Sequence, residues 1–225
     1  MPNVMSNPTA NFRLTNNYVP AMAYSSDVNY NGGTRVNFGA PIANNATLVV
    51  NAATASAATV IDLTGVAQFP EPYGRVTSII LSGAGSGTAT LRGWDYIGQP
   101  LTENLVLNGG TAVVGKKAFK SFANLTIPTV GAVTLNLGSG AGLGLPYKAL
   151  RCQFETAAGV AATAGTLTAP VLTDPATAVT GDRRGTYAPT TAFDGTTVIT
   201  AIFDMANDVN AAGNGGLMGI KQFGS

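Results

Sequence analysis

The side chains able to do chemistry are few, and each set lacks a member its chemistry requires. The chain has no histidine, one cysteine (Cys152) and eleven carboxylates. Without an imidazole there is no Ser-His-Asp or Cys-His relay, no histidine zinc site and no ordinary base titrating near neutral pH. Cys152 lies in a strand-like run with Leu150 and Phe154 and reads as a small, inert hydrophobe. A single cysteine allows neither an internal disulfide nor a cysteine metal cluster. The carboxylates Asp27, Asp62, Glu71, Asp95, Glu103, Glu155, Asp174, Asp182, Asp194, Asp204 and Asp208 are scattered. A glycosidase needs two of them facing across a cleft. Asp95 and Glu103 could do so across a hairpin, but so could other pairs. Asp204 and Asp208 do not form the alternating oxygen-ligand run of a calcium loop. The expectation is a non-enzyme with no catalytic residues, no cofactor, no metal and no small-molecule substrate.

Three stretches come closer to a motif. Gly110, Gly115 and Lys116 stand at phosphate-loop spacing. Lys117 replaces the hydroxyl that would hold magnesium, and Ala112, Val113 and Val114 are strand-like rather than the opening of a helix. Residues 138–144 alternate Gly138, Gly140, Gly142 and Gly144. That is not the dinucleotide fingerprint, and Pro146 follows where a helix should run. A flexible loop or a close approach between backbones is expected there. Residues 182–189 gather Asp182, Arg183, Arg184 and Tyr187 in a neutral region. They read either as a turn with an ordinary ion pair or as an interface anchor, because Arg and Tyr are favoured hot-spot types.

The elements that must carry these residues are strands. β-Branched or alternating runs lie at 47–50, 59–63, 75–82, 88–94, 101–107, 111–114, 118–125, 131–138, 149–155 and 196–203, separated by Gly, Asn and Pro. The run 88–94 is expected to pair with 75–82 as a hairpin across Gly83, Gly85 and Gly87. A break is expected near Gly115, and 166–172 reads as an edge strand or loop. No stretch has helical periodicity with caps, and no fixed-period repeat is present. Together these features predict an all-β fold, an antiparallel β-sandwich or jelly-roll-like core over 46–205, loop-rich around 156–190. Residues 1–45 read as an extended N-terminal arm and 206–225 as an irregular C-terminal tail. The arm is rich in Asn and carries Phe12, Tyr18, Tyr24, Tyr30 and Phe38 at intervals. It could pack on its own domain or dock into a neighbour's pockets. The expected interface residues are these five with Arg183, Arg184 and Tyr187.

Charge bounds the partners. Lys and Arg total 12, Asp and Glu 11, and charged residues make up 10% of the chain, against about 25% in an average soluble protein. No basic stripe for phosphates is visible, so no nucleic-acid partner is expected. No apolar run approaches the roughly 20 residues of a membrane helix, so no membrane partner is expected. The first residues lack the basic and apolar regions of a secretion signal, which points to synthesis in a cytoplasm. So weakly charged a surface puts little repulsion between copies and suits a protein packed against itself or others.

Two stretches carry a resemblance. Residues 93–104, with Gly93, Trp94, Asp95, Tyr96, Gly98, Gln99 and Pro100, and residues 182–189 resemble small structural proteins of tailed-bacteriophage virions. Over about residues 40–205 the chain is most similar to capsid cement or decoration proteins. The resemblance implies a jelly-roll or sandwich homotrimer made in the host cytoplasm and located on the virion's capsid surface. There it would bind the major capsid protein and cement neighbouring subunits. It transfers no functional residues. A tail or neck component, or a carbohydrate- or receptor-binding module, is the alternative; the single tryptophan, Trp94, disfavours the sugar-binding version.

Overall fold

The computed structural model describes residues 18–19, 33–172, 177–205, 218–219 and 222. They form β1 (Tyr18–Val19), β2 (Gly33–Gly39), β3 (Val50–Thr54), β4 (Thr59–Asp62), β5 (Arg75–Leu81), β6 (Ser86–Trp94), β7 (Pro100–Asn108), β8 (Val113–Phe119), β9 (Ser121–Ile127), β10 (Thr134–Gly144), β11 (Ala149–Ala157), β12 (Val160–Ala162), β13 (Thr166–Thr168), β14 (Thr186–Ala188) and β15 (Ile199–Met205). There is no helix among the described residues. The fold is all-β and antiparallel, of the β-sandwich class.

Three sheets divide the work. The first runs β1-β2-β15-β11-β12, the second β13-β14-β10-β5-β8 with β3 also on β10, and the third β4-β9-β6-β7. β10 links two apolar cores. Its first half pairs Leu135 with Leu81 and Leu137 with Ile79. These residues pack with Leu91, Leu105, Phe122 and Leu125 of the third sheet. Its second half contributes Leu143 to another core with Phe38, Tyr187, Ile199 and Phe203. Each fully buried leucine or phenylalanine contributes about 2 kcal/mol.

The Gly-rich run lies between the two cores and is strand, not loop. Residues 138–144 all belong to β10. The close-approach reading accounts for the glycines. A Cβ on Gly138 would stand 1.9 Å from the Asn45 carbonyl oxygen, and one on Gly144 2.0 Å from that of Tyr73. Other chain segments cross β10 at backbone contact, where no side chain fits.

Two further expectations change. β5 and β6 are not a hairpin: β5 pairs with β10 and β8, and β6 with β7 and β9. The glycines at 83–87 carry the chain from the second sheet to the third. β8 also runs unbroken through Gly115, and the interruption falls at Lys120. The boundary at residue 45 moves as well. β2 lies between β1 and β15, and its Val36 and Phe38 are core residues. The sandwich therefore takes in residues 33–45.

Candidate functional site

More than half of the described charged residues are inside the protein. Glu71, Arg75, Asp95, Glu103, Lys117, Lys148, Glu155, Asp182, Arg183 and Arg184 are all buried. Of the described charged residues only Arg35, Asp62, Arg92, Lys116, Lys120, Arg151, Asp194 and Asp204 reach the surface. Buried charges survive only when paired or hydrogen-bonded, and the neighbours of these show how that is met.

Arg75, at the start of β5, spans the seam between the two cores. Its Nε donates to the Gly140 carbonyl (2.6 Å), and one terminal nitrogen donates to the Ile42 carbonyl (2.7 Å) and to Glu71 (2.9 Å). The other terminal nitrogen reaches Asn44, and the guanidinium lies 4.6 Å from the Phe193 ring centre. Burial lowers its pKa, and the Glu71 charge opposes that shift. A planar fork with five donors fits this job where a lysine would not.

A second cluster ties the 93–104 and 182–189 stretches together. Arg184 pairs with Asp95 at 2.5 Å, both buried, and lies 4.9 Å from the Tyr96 ring centre. The other carboxylate oxygen of Asp95 accepts from the amides of Ile97 (3.0 Å) and Gln99 (2.8 Å), closing the β6–β7 turn. Asp182 accepts from the amides of Ala118 (3.1 Å) and Arg184 (2.9 Å). Around Tyr187, the phenol donates to Glu155 and accepts from the Gly165 amide (2.6 Å) and the Cys152 thiol (3.3 Å). Burial pushes the Cys152 thiol up, so it stays protonated and poorly nucleophilic.

Glu103 is the titrating member. One oxygen accepts from the Lys116 amide. The other, with the Thr77 hydroxyl, has no hydrogen-bond partner, and both crowd Gly115. Burial raises its pKa to about 7 and lowers that of Lys117 to about 8. Between the ordinary carboxylate range and pH 7 the folded chain holds a proton that the unfolded chain has released. Stability therefore falls as pH rises through that window, by about 3 kcal/mol. Between about 8 and the ordinary lysine value of 10.5 the unfolded chain holds the extra proton, so stability recovers with rising pH. Urea unfolding across pH 5–8 should show the first loss, and Glu103→Gln should flatten it. A wild-type profile that is level from pH 5 to 8 would contradict this assignment.

With much of the charge held inside, the outer sheet faces are mostly uncharged, with Arg35 and the Arg151–Asp204 pair on the first and Arg92 on the third. On the first sheet Arg35, Ile202 and Phe154 face one another in register, and Asn37, Thr200 and Thr156 form the next row. A hollow of about 160 Å³ is lined by Arg35, Phe154, Thr156, Gly159, Thr200 and Ile202. Phe154 is 37% and Val160 of the edge strand 70% exposed. Beside them Arg151 and Asp204 make an exposed ion pair at 2.8 Å, worth little energetically. On the third sheet Val60, Arg92 and Val106 are exposed, among Thr88, Thr90, Asn104 and Thr126.

Comparison with protein-family models, curated proteins and solved structures returned no match. No helix among the described residues is long and apolar enough to cross a membrane. Among the same residues no group of three His, Cys, Asp or Glu could hold a metal ion.

The expected interface residues separate into two groups. Phe12, Tyr24 and Tyr30 lie outside the described residues, and of Tyr18 only the backbone pairing with Thr34 is described. Phe38, Arg183, Arg184 and Tyr187 are interior: each is 2% exposed or less. Phe38 stacks on Tyr187 at 5.8 Å. Their residue types anchor contacts as expected, but the contacts are within the chain. Sequence reasoning missed Phe154 and Arg35, whose exposure follows from sheet register, and Ile202, which is buried between them. It also missed Arg75, whose one signal was a lone charge opening an apolar strand.

Proposed function

We propose that this chain is a non-enzymatic structural subunit of a virion that binds the outer capsid surface and cements neighbouring major-capsid subunits, as a homotrimer. The observation that carries the reading is the placement of charge: ten of the eighteen described charged residues are buried, and the outer faces are mostly Thr, Asn and Val with few charges among them. Copies bearing such faces repel one another little, and apolar side chains amid polar neighbours make the mixed contacts of protein interfaces. The resemblance of residues 93–104 and 182–189 to tailed-phage structural proteins supplies the setting. Both stretches converge on the Asp95–Arg184 pair, so in this reading they hold the rigid body that presents the faces.

The face of the first sheet on which Arg35 and Phe154 are exposed among the described residues is the contact surface in this reading, with Phe154 as its anchor. Phe154→Asp should leave the melting temperature close to wild type, because the side chain is partly exposed. It should weaken co-sedimentation with particles stripped of the protein by about tenfold or more. Undiminished binding by a folded Phe154→Asp variant would remove this face from the proposal.

A further inference from the structure

The outer face of the third sheet carries two opposite charges that do not meet. Asp62 of β4 and Arg92 of β6 both register with Asn124 of β9. They stand in one row, a strand to either side of β9, about 10 Å apart at the backbone. Both are exposed. Asp62 accepts from its neighbour Thr64 and faces no cation among the described residues. Arg92 makes two long contacts, 3.5 Å each, to Asn124 and Thr126. The other acids at the surface are satisfied within the chain. Asp204 is bonded by Arg151 and Gln153, and Asp194 by Thr196 and Thr197 through both oxygens.

The next row is uncharged. Val60, Thr126, Thr90 and Asn104 register across all four strands, and the Thr90 hydroxyl bonds Asn104 at 3.0 Å. Val60 is 62% exposed. Two copies satisfy this pattern by one symmetry. Facing sheets pack about 10 Å apart with their strands roughly aligned. A two-fold axis parallel to β9, midway between the copies, exchanges the β4 side of the face with the β6 side. Each Asp62 then lies opposite the Arg92 of the other copy. In the next row each Val60 lies opposite the methyl of a Thr90, and Thr126 meets its own counterpart. A long arginine opposite a short aspartate suits the gap.

We propose that the outer face of the third sheet is a self-complementary contact between two copies of this chain, closed by reciprocal Asp62–Arg92 pairs. Such a contact is isologous: residue i meets j, and j meets i. β4 is four residues long, so the patch is smaller than the roughly 800 Å² per partner of a standard interface. It is weak singly and effective where many copies are held together. A two-fold contact cannot close within a trimer, so in the assembly reading it joins one trimer to the next. It uses a different face from the capsid contact. The pairing is measured on the purified chain without particles, so either can fail without the other.

The test uses Asp62→Arg and Arg92→Asp, both at exposed positions. Light scattering at high protein concentration follows association. Wild type should associate, and less so as salt is raised. Either variant alone sets like charges opposite one another in both pairs, and should associate about tenfold more weakly than wild type. An equal mixture of the two variants sets opposite charges in both pairs again, as does the double variant Asp62→Arg/Arg92→Asp. Both should regain wild-type association. The mixture holds the same proteins as the separate samples, so a folding defect cannot imitate the recovery. No association of the wild type, single variants that associate as wild type does, or a mixture no more associated than its components would each overturn the proposal.

Discussion

Arg75→Ala should lower the unfolding free energy by about 4 kcal/mol, the loss expected when one member of a buried, hydrogen-bonded charge pair is removed. For a chain of this length that is a fall in melting temperature of about 10 °C. The reason lies in what the guanidinium satisfies. It serves the carbonyls of Gly140 and Ile42, Glu71 and Asn44. Its removal leaves Glu71, 3% exposed, buried without its cation. It also frees the 42–44 segment from β10, where the two cores meet. Arg75→Lys should recover only part of the loss, because an ammonium cannot reach the same four acceptors in one plane. Thermal unfolding followed by circular dichroism gives both numbers. A loss below about 1 kcal/mol for Arg75→Ala would mean the seam adds little to the joining of the cores.

The second large effect is expected at Gly138. A methyl group there would lie 1.9 Å from the Asn45 carbonyl oxygen and 2.4 Å from the Ala46 carbonyl carbon. Both are backbone atoms with no rotamer to move. The crossing segment must shift, breaking the pair of bonds between Ser139 and Asn45, 2.9 and 3.0 Å. Gly138→Ala should therefore cost about 3 kcal/mol. Gly142→Ala is the control: its Cβ would press on side chains alone, the Val76 methyls at 3.0 and 3.1 Å with the Thr186 hydroxyl at an ordinary 3.7 Å, and side-chain adjustment should hold its cost to about 1 kcal/mol. Urea denaturation of both variants checks the contrast. Equal losses would show that the crossing is soft and the glycines interchangeable.

Much of the strand content was legible because it is local. Leu135 and Leu137 alternate with polar neighbours, and the residues of β4 are β-branched beside a turn, so their type and period can be read directly. Pairing was not legible in the same way. The glycines after Leu81 suit a tight hairpin and a crossing between sheets equally well. What decides is that Ile79 and Leu81 register with Leu137 and Leu135, more than fifty positions away. Register also determines that Phe154 points outward while Glu155 is buried.

The candidate site was legible only as chemistry without address. Arg183, Arg184 and Tyr187 stood out because so much charge and aromatic surface in a neutral stretch demands a partner. Nothing in their spacing says that the partner of Arg184 is Asp95, 89 positions earlier. The low charge of the whole chain was plain from composition. That ten of the eighteen described charged residues are buried, leaving few on the outer faces, emerges only from the structure.

In the proposed role this chain is a structural component present throughout a capsid surface. Quantitative protein mass spectrometry of intact, purified particles tests it most directly. This chain should be present at a copy number comparable to that of the major capsid protein. A ratio of only a few copies per particle, or none, would contradict it.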